Sequence, residues 1–390
     1  MKKVAILVSH PIQHFCPQYA SFATKENVEL KVFFASALGL KKYFDPNFRK
    51  EITWSNLYLD EFQHLFLNGE KVLPSNSKLD AKSLSIELTK YRPDVLVVYG
   101  YFQKLQRRAW RWAARNNTKL AYISDSELRS KRKNLLNWGK SLFLKFYFSK
   151  IDFFLTVGNA NEEYYSAHGV PGRKMLRMHF PIDIRTYLSS YENRAELRQN
   201  VRLRFEIQQD SVVLSMVGKL VPWKNQNHII DAMLLLEEKG VCCELFVIGS
   251  GEMMDGWRTL AMKLKKSRVH FTGFVNSQEL PSYYAATDIY VHTAGVEPHS
   301  IAISEAIFMG CPVIISDRCG SYGHSDDVQE GKNGFVYRFG DIEQLAKKIE
   351  ELSVNSELRK VFSDHSHIIA RSFQMRSHHQ VLADLVAEIE

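Results

Sequence analysis

Short apolar runs rich in β-branched residues alternate along the chain with segments of helical pattern, and this alternation constrains the fold most strongly. Such runs are typical of parallel strands buried on both faces and covered by helices. We therefore predict an α/β fold with five principal strands in each half. The predicted strands are Val4–Val8, Leu30–Ala35, Asp94–Tyr99, Leu120–Ser124, Phe153–Val157, Val212–Val217, Leu245–Ile248, Val269–Phe271, Ile289–His292 and Val313–Ile315.

The length of 390 residues favours two domains, because a single core rarely grows so large. We predict two facing Rossmann-like, doubly wound domains, residues 1–185 and 186–365, divided near a loop-like passage at Val170–Asp183. Residues 366–390 have a helical pattern, and we expect them to pack back toward the first domain. Open α/β sheets bind ligands beyond the carboxyl ends of their strands. Function should therefore lie in strand-end loops that face a cleft between the domains.

The cysteines and the first residues predict a cytoplasmic setting. The apolar run before Ser9 is shorter than the core of a secretory signal, and no stretch is long enough to span a membrane. Five cysteines without a C-x-x-C pair predict neither a disulfide framework nor a zinc site.

The positive charge is concentrated in residues 104–150, where 13 Lys or Arg residues stand against two acids. One interpretation is an ordinary solvated helix face. The other is a peripheral contact with an anionic membrane on its inner face, because residues 130–150 interleave cations with Leu, Trp, Phe and Tyr. Nucleic acid is not expected as a partner, since no binding module accompanies the segment. A dehydrogenase is disfavoured because no G-x-G-x-x-G motif occurs.

Lys219 and Lys224 flank a turn at which a buried strand ends and a helix begins. Two cations beside Gly218 and a helix N-terminus are suited to binding a diphosphate. Such a pair by itself is more often plain surface.

A second segment, residues 295–316, runs from a strand end through Glu297 into a helix that carries Glu305. Ser300 is suited to be the N-cap, and the N–H groups near Ser300 and Ile301 would then face an anion. A carboxylate inside an apolar helix is costly unless it is hydrogen-bonded, and two sugar hydroxyls would bind Glu305 well. The alternative is a glutamate on the helix surface.

Together these motifs resemble the large retaining GT-B glycosyltransferase family (family 4-like) that includes glycogen synthase and bacterial mannosyl- and glucosyltransferases. Its signature of two glutamates separated by seven residues is matched by Glu297 and Glu305, with the basic pair upstream. The resemblance covers about Val212–Ala346. It includes GSGE (249–252), FTGFV (271–275) and GKNGFVYRFGD (331–341).

The resemblance implies that Glu305 binds the donor ribose and that Glu297 contacts the transferred sugar. It also implies that Lys219 and Lys224 neutralise the diphosphate as it leaves. The other donor-binding positions that it implies are Phe274, Val275, His299, Ser300 and Ile301. Lys219 stands where the family usually has Arg, and Pro298-His299-Ser300 stands where Gly-Phe-Gly is common; the first change keeps the charge but not the bidentate fork.

The resemblance further implies catalysis without a metal, a cofactor or a protein nucleophile, because fixed cations and helix N-termini stabilise the leaving diphosphate. The absence of Asp-x-Asp and of a His/Asp ligand cluster in the sequence fits this. In the first domain, the loop of residues 9–15 points His10, Gln13 and His14 toward the cleft as acceptor or phosphate ligands, although a satisfied loop histidine is an equal alternative. Asp125, at a strand end, is a further catalytic candidate. The histidines at 365, 367, 378 and 379 are interpreted as surface residues.

The sequence therefore predicts a retaining hexosyltransferase that uses a UDP-sugar, with a GDP-sugar second. The expected acceptor is a saccharide or a lipid-linked saccharide, in the synthesis of a cell-surface polysaccharide or glycolipid. Two alternatives stay open: a sugar-nucleotide epimerase of the same fold, and a non-catalytic sugar-nucleotide-binding partner protein.

Overall fold

A computed structural model describes residues 1–129 and 136–389, without the side chains of residues 136–138. The strands in these ranges are β1 (Lys2–Val8), β2 (Val28–Phe34), β3 (Tyr43–Asp45), β4 (Lys50–Ile52), β5 (His64–Glu70), β6 (Val95–Tyr99), β7 (Lys119–Ile123), β8 (Phe153–Thr156), β9 (Met175–Arg177), β10 (Val213–Val217), β11 (Glu244–Ile248), β12 (Arg268–Gly273), β13 (Ile289–His292), β14 (Val313–Ser316) and β15 (Gly334–Tyr337).

Helices connect and cover these strands. They are α1 (Cys16–Ala23), α2 (Leu84–Tyr91), α3 (Lys104–Asn116), α4 (Leu136–Ser149), α5 (Asn159–Ala167), α6 (Ile184–Glu192), α7 (Arg194–Arg204), α8 (Asn227–Glu238), α9 (Met254–Ala261), α10 (Leu280–Ala286), α11 (Ile301–Phe308), α12 (Ile342–Val354), α13 (Ser356–His379) and α14 (Val381–Ala387). Short 3₁₀ turns lie at Leu59–Glu61, Gly172–Lys174 and Pro222–Lys224.

The first domain is built on a seven-stranded parallel sheet of order β5-β2-β1-β6-β7-β8-β9. Successive residues of β1 alternate between two cores. Ala5 and Leu7 lie in the cluster on one face, whereas Val4, Ile6 and Val8 lie in the cluster on the other. This burial on both faces explains why β1 is an uninterrupted apolar run.

The second domain is built on a six-stranded parallel sheet of order β12-β11-β10-β13-β14-β15. In each sheet the strand order reverses at one point, between β1 and β6 in the first and between β10 and β13 in the second. Ligands bind at such switch points, beyond the carboxyl ends of the strands. The prediction of two doubly wound parallel sheets is confirmed.

All ten predicted strands are present, within a residue or two at their ends. The sequence did not predict β5, β9, β15 or the antiparallel pair β3 and β4. The passage at Val170–Asp183 is not wholly a loop, because β9 within it pairs with β8. β9 has three residues and gives too short a pattern to recognise.

The C-terminal helices cross from the second domain to the first. α13 runs without a break through residues 365 and 366, and its end packs against α1, where Gln18 Nε2 donates to Ser377 Oγ at 2.9 Å. α14 then buries Val381, Leu382 and Leu385 in the first-domain core. His378 is fully buried and its Nε2 lies 3.0 Å from the carbonyl of Ile182, so its interpretation as a surface residue is wrong.

In the part of the chain that the structure describes, no helix combines the length and the apolar character needed to cross a bilayer.

Candidate functional site

The loop after β10 carries Lys219 and Lys224 at the switch point of the second sheet. Gly249, after β11, lets this loop pack tightly: a Cβ there would lie 1.9 Å from the carbonyl oxygen of Gly218. Gly249, the first glycine of the GSGE motif, is therefore required because two backbone segments pack closely at this position. The chain then enters the 3₁₀ turn Pro222–Lys224, which directs Lys224 toward the neighbouring strand end.

Lys224 and Glu297 form the centre of the site. The Lys224 ammonium contacts the Glu297 carboxylate, whose Oε2 also lies 3.1 Å from Nε2 of His292 at the end of β13. Burial lowers the pKa of Lys224 to about 8. Burial and then the charge of Lys224 hold the pKa of His292 well below its usual range. The centre is therefore a cation and a carboxylate beside a neutral imidazole at neutral pH.

Glu305 lies on α11 and faces inward. Its Oε2 accepts a hydrogen bond from the Tyr284 hydroxyl at 3.1 Å, so the alternative of a helix-surface glutamate is wrong. Burial raises the pKa of Glu305 to about 7, and the bond from Tyr284 opposes that rise. The hydrogen bonds of the Glu305 carboxyl group therefore compensate only part of its desolvation.

His299 is part of a buried polar cluster with Asp326 and Asp327. Its Nε2 lies 3.2 Å from Oδ2 of Asp327, which also accepts from Ser304 Oγ at 2.6 Å. Burial lowers the pKa of His299, but the hydrogen bond and charge of Asp327 outweigh burial and raise it. His299 therefore carries positive charge into the cleft over a wider pH range than an ordinary histidine.

The expectation that His and Asp side chains would not gather is wrong at this cluster, because ligand atoms of His299, Asp326 and Asp327 lie within 4.8 Å of one another. The carboxylate of Asp326 is engaged elsewhere: it accepts from the backbone N–H of Asn159 at 2.7 Å and of Asp327 at 2.9 Å. Metal independence stays a prediction.

A cavity of about 520 Å³ opens between the domains beside Lys224 and Glu297. The first domain contributes strand-end residues, and the second contributes the start of α11. The lining residues are His14, Phe15, Tyr99, Gly100, Ile123, Ser124, Asp125, Phe180, Lys224, Glu297, His299, Ser300 and Ile301. The structure thus brings His14 and Asp125 of the first domain together with the predicted donor residues of the second.

Other predicted residues lie away from the lining of this cavity. His10 and Gln13 belong to the loop after β1 but are not among the lining residues. Burial lowers the pKa of His10 to about 4 and that of His14 to about 3, so both are neutral at physiological pH. Phe274 and Val275 follow β12, where Val275 packs against the core of the second domain.

Ser300 is the residue before α11, but its side chain makes no capping hydrogen bond. Its backbone N–H donates to Ser321 Oγ at 2.9 Å. The sequence predicted that this N–H would face a phosphate, but Ser321 already occupies it. Ile301, the first residue of α11, also lines the cavity.

Lys219 has a partner from the other domain. Its Nζ lies 3.1 Å from Oδ2 of Asp45, in the hairpin of β3 and β4, and 4.8 Å from the ring centre of Phe48. Neither contact was predicted, because the hairpin and Lys219 lie far apart in the sequence and meet only in the folded protein.

Sequence reasoning also missed His292, Tyr284 and Asp327. A signal existed for His292, which ends a predicted strand five residues before Glu297. Tyr284 and Asp327 gave none, since each reaches the site from a separate helix or loop.

The fold is shared with solved glycosyltransferases. Anabaena HepE, solved in complex with UDP, superposes with a TM-score of 0.70 at 18% identity, covering 99% of this chain and 100% of that chain. A glycosyltransferase from Rickettsia africae superposes with a TM-score of 0.72 at 13% identity, covering 100% of this chain and 98% of that one. The two facing sheets with their cleft therefore define the GT-B class, as the sequence predicted.

Residues 197–367 match the family model "Glycosyl transferases group 1". A Bacillus subtilis relative, "Putative glycosyltransferase EpsD", is 27% identical over 346 residues, 83% of this chain and 88% of that protein. A GDP-mannose-dependent mannosyltransferase of Mycobacterium tuberculosis is 30% identical over 172 residues, which are 42% of this chain and 43% of that protein. The chain is a glycosyltransferase.

Proposed function

We propose that the protein is a retaining, metal-independent hexosyltransferase that transfers sugar from a nucleotide-sugar donor to a saccharide or lipid-linked acceptor. The observation that carries this proposal is the contact of Lys224 with Glu297 at the wall of the interdomain cavity. Lys224 supplies a fixed cation for the diphosphate, and Glu297 supplies an acceptor for hydroxyls of the transferred sugar.

The reaction needs stabilisation of the negative charge that grows on the diphosphate as the glycosidic bond breaks. Lys224 is 18% exposed at its side chain, so its attraction for a phosphate is screened less than that of a surface lysine. Lys219 adds positive charge, and the hydrogen bond and charge of Asp327 raise the pKa of His299 despite its burial. In the proposed retaining step, the acceptor oxygen attacks from the face that the diphosphate leaves, and the leaving phosphate takes the acceptor proton.

Glu305 accounts for the proposed ribose contact. A mostly buried carboxylate beside the hydroxyls of Tyr284 and Tyr187 can accept further hydrogen bonds, and two vicinal hydroxyls of a ribose would supply them. The acceptor is proposed to approach from the first-domain side of the cavity, where His14 and Asp125 lie. Because His14 is neutral, its contribution is a hydrogen bond and not a charge.

UDP is the preferred nucleotide of this proposal, and GDP is second. Anabaena HepE was solved with UDP and with UDP-glucose, which supports uridine. The M. tuberculosis relative is named for GDP-mannose, which supports guanosine.

Transfer assays over a panel of UDP- and GDP-sugars test this proposal. Glu305→Ala and Lys224→Ala should each reduce donor turnover by about a hundredfold or more, whereas Lys239→Ala, which removes a surface partner of Glu350, should not. Full turnover by both site variants would contradict the site. NMR of the product should show a retained anomeric configuration. Conversion of the donor to an epimer without an acceptor would instead indicate the epimerase.

We also propose that the protein works at the inner face of a membrane, as a peripheral protein. α3 presents Lys104, Arg107, Arg111 and Arg115 around a cavity of about 450 Å³. In the same cavity Arg108 is held by Asp80 through bonds of 2.9 and 2.6 Å. Anionic headgroups are suited to such a cluster.

The apolar part of this surface lies on α4, where Leu142, Phe143 and Phe146 are 50%, 49% and 59% exposed. The ring centres of Phe143 and Tyr101 lie 6.0 Å apart, which places α4 next to the residues that precede α3. Residues 130–135, which contain three of the predicted cations, lie outside the described ranges.

Liposome flotation tests the membrane proposal. The triple variant Arg107→Ala, Arg111→Ala, Arg115→Ala should lose binding to vesicles with 30% anionic lipid, by roughly tenfold or more for three lost contacts. The control Lys263→Ala, Lys265→Ala, Lys266→Ala removes the same charge from an exposed stretch of the second domain. Equal loss in both variants would contradict a specific surface.

A further inference from the structure

The hairpin of β3 and β4 stands apart from both large sheets and touches the second domain through its turn. It forms a two-stranded sheet of three residues on each side, and residues 46–49 make the turn. Asp45 Oδ1 accepts the backbone N–H groups of Asn47 and Phe48 at 2.8 and 3.0 Å, so the turn is held by its own hydrogen bonds. A short two-stranded sheet is only marginally stable alone. Its position therefore depends on what it contacts.

The contacts of the hairpin turn fall on the residues proposed to hold the donor. Asp45 Oδ2 lies 3.1 Å from Nζ of Lys219. The ring of Phe48 meets the ring of Phe274 edge to face, with centres 5.1 Å apart. The carbonyl of Phe48 accepts a hydrogen bond from Ser250 Oγ at 2.7 Å. This bond holds the hairpin turn against the loop that follows β11. One hairpin thus meets both the cation of the diphosphate site and the aromatic residue at the base site.

We propose that the hairpin of residues 43–52 is a displaceable occupant of the donor site, with Asp45 on Lys219 in place of the diphosphate. This proposal rests on the assignment of Lys219 and Phe274 to the donor. A diphosphate and the Asp45 carboxylate are both anions, and they compete for one ammonium group. Donor binding therefore releases Asp45, which keeps its two N–H donors within the turn, and moves Phe48 away from Phe274.

The arrangement has a chemical use. The hairpin covers the cation and the aromatic residue until a donor displaces it, so donor binding includes an opening step. Two further polar contacts hold this region against the second domain. Arg49 pairs with Glu252 at 3.4 Å, and the hydroxyls of Ser55 and Ser277 lie 3.0 Å apart across the domain boundary.

Calorimetry with UDP and GDP as probes tests the competition. Asp45→Asn keeps a side-chain oxygen that accepts the N–H groups of the turn. It removes the negative charge of Asp45 that faces Lys219. It should lower the Kd of the preferred nucleotide about five- to tenfold. Glu51→Gln, on exposed β4 of the same hairpin, removes an equal charge and should leave Kd within twofold. Unchanged or weaker binding by Asp45→Asn would overturn the hairpin assignment alone. Binding of neither nucleotide by wild type or Asp45→Asn would overturn the donor assignment with it.

A reversible lock tests the displacement directly. In a Cys242→Ser background, cysteines at Ser55 and Ser277 should form a disulfide that keeps the hairpin closed. The oxidised protein should bind the nucleotide at least tenfold more weakly, and dithiothreitol should restore binding. The control lock joins Asn159 and Ser325, whose side chains lie 3.1 Å apart at another interdomain contact. It should leave Kd within threefold. Full binding by the oxidised Ser55–Ser277 lock would show that the hairpin need not move.

Discussion

The ammonium group of Lys224 contacts the carboxylate of Glu297, although the two lie 73 positions apart in the chain. Lys224 follows β10 and Glu297 follows β13, and these strands are neighbours in the sheet with adjacent carboxyl ends. The parallel topology therefore builds the ion pair at the edge where the cleft opens.

Replacing Lys224 with Met should reduce transfer by about 10²–10³, because a preorganised cation facing a leaving group contributes at that scale. The loss should appear in kcat more than in KM, since the charge on the diphosphate grows in the transition state. Steady-state kinetics with the preferred donor measure it. Lys239→Met is the control, and equal losses in both variants would remove Lys224 from the site.

The pH dependence of kcat/KM should be bell-shaped with limbs near 7 and 8. Glu305 binds hydroxyls best as a carboxylate, which forms as pH rises through its pKa of about 7. Lys224 loses its proton, and with it the attraction for phosphate, as pH rises through about 8. Initial rates between pH 5.5 and 9.5 test this. Glu305→Gln should abolish the acid limb and leave the alkaline limb; a profile unchanged by that variant would contradict the assignment.

Glu305→Gln should stabilise the protein above neutral pH. Because burial raises the folded pKa of Glu305 above its usual value, the folded state loses stability relative to the unfolded state as pH rises from about 4.5 to about 7. The upper limit of that loss is about 3 kcal/mol. Thermal melts at pH 5 and pH 8 should therefore show a higher Tm for the variant at pH 8 only. An equal shift at both pH values would point to packing instead of ionisation.

Gln374→Ala should destabilise the chain by about 2–3 kcal/mol, because it leaves the buried N–H of Ile182 and the partly buried carbonyl of Phe180 without partners. The Gln374 amide donates to the carbonyl of Phe180 at 2.8 Å and accepts from the N–H of Ile182 at 2.9 Å. Urea unfolding measures the loss. Gln380→Ala removes an exposed partner of Asp384 and should cost much less. Similar losses would contradict a special role for the buried amide.

Periodicity in the sequence was sufficient for the strands that are buried on both faces, such as β1 and β10, because burial demands an unbroken apolar run. It was insufficient for β9 and β15, which lie at sheet edges and are three or four residues long. The hairpin of β3 and β4 escaped because its residues mix charge and aromatic character.

The spacing of Glu297 and Glu305 was sufficient to predict that both lie near the cleft, because one strand end and one helix fix both residues. The partners of those glutamates could not be predicted in the same way. Tyr284 and His292 reach them from other elements, and no local pattern records such a distance. The N–H of Ser300 was predicted to face the ligand, but it donates to Ser321 Oγ. Ser321 lies in a loop whose position could not be predicted from the sequence.

α14 completes the core of the first domain with Leu382 and Leu385, yet it follows β9 by about 200 residues. During synthesis the first seven-stranded sheet therefore emerges with part of its apolar face uncovered. That face stays uncovered until the whole second domain has been made. We expect the nascent first domain to need protection from aggregation over this interval, and its folding to finish only after that of the second.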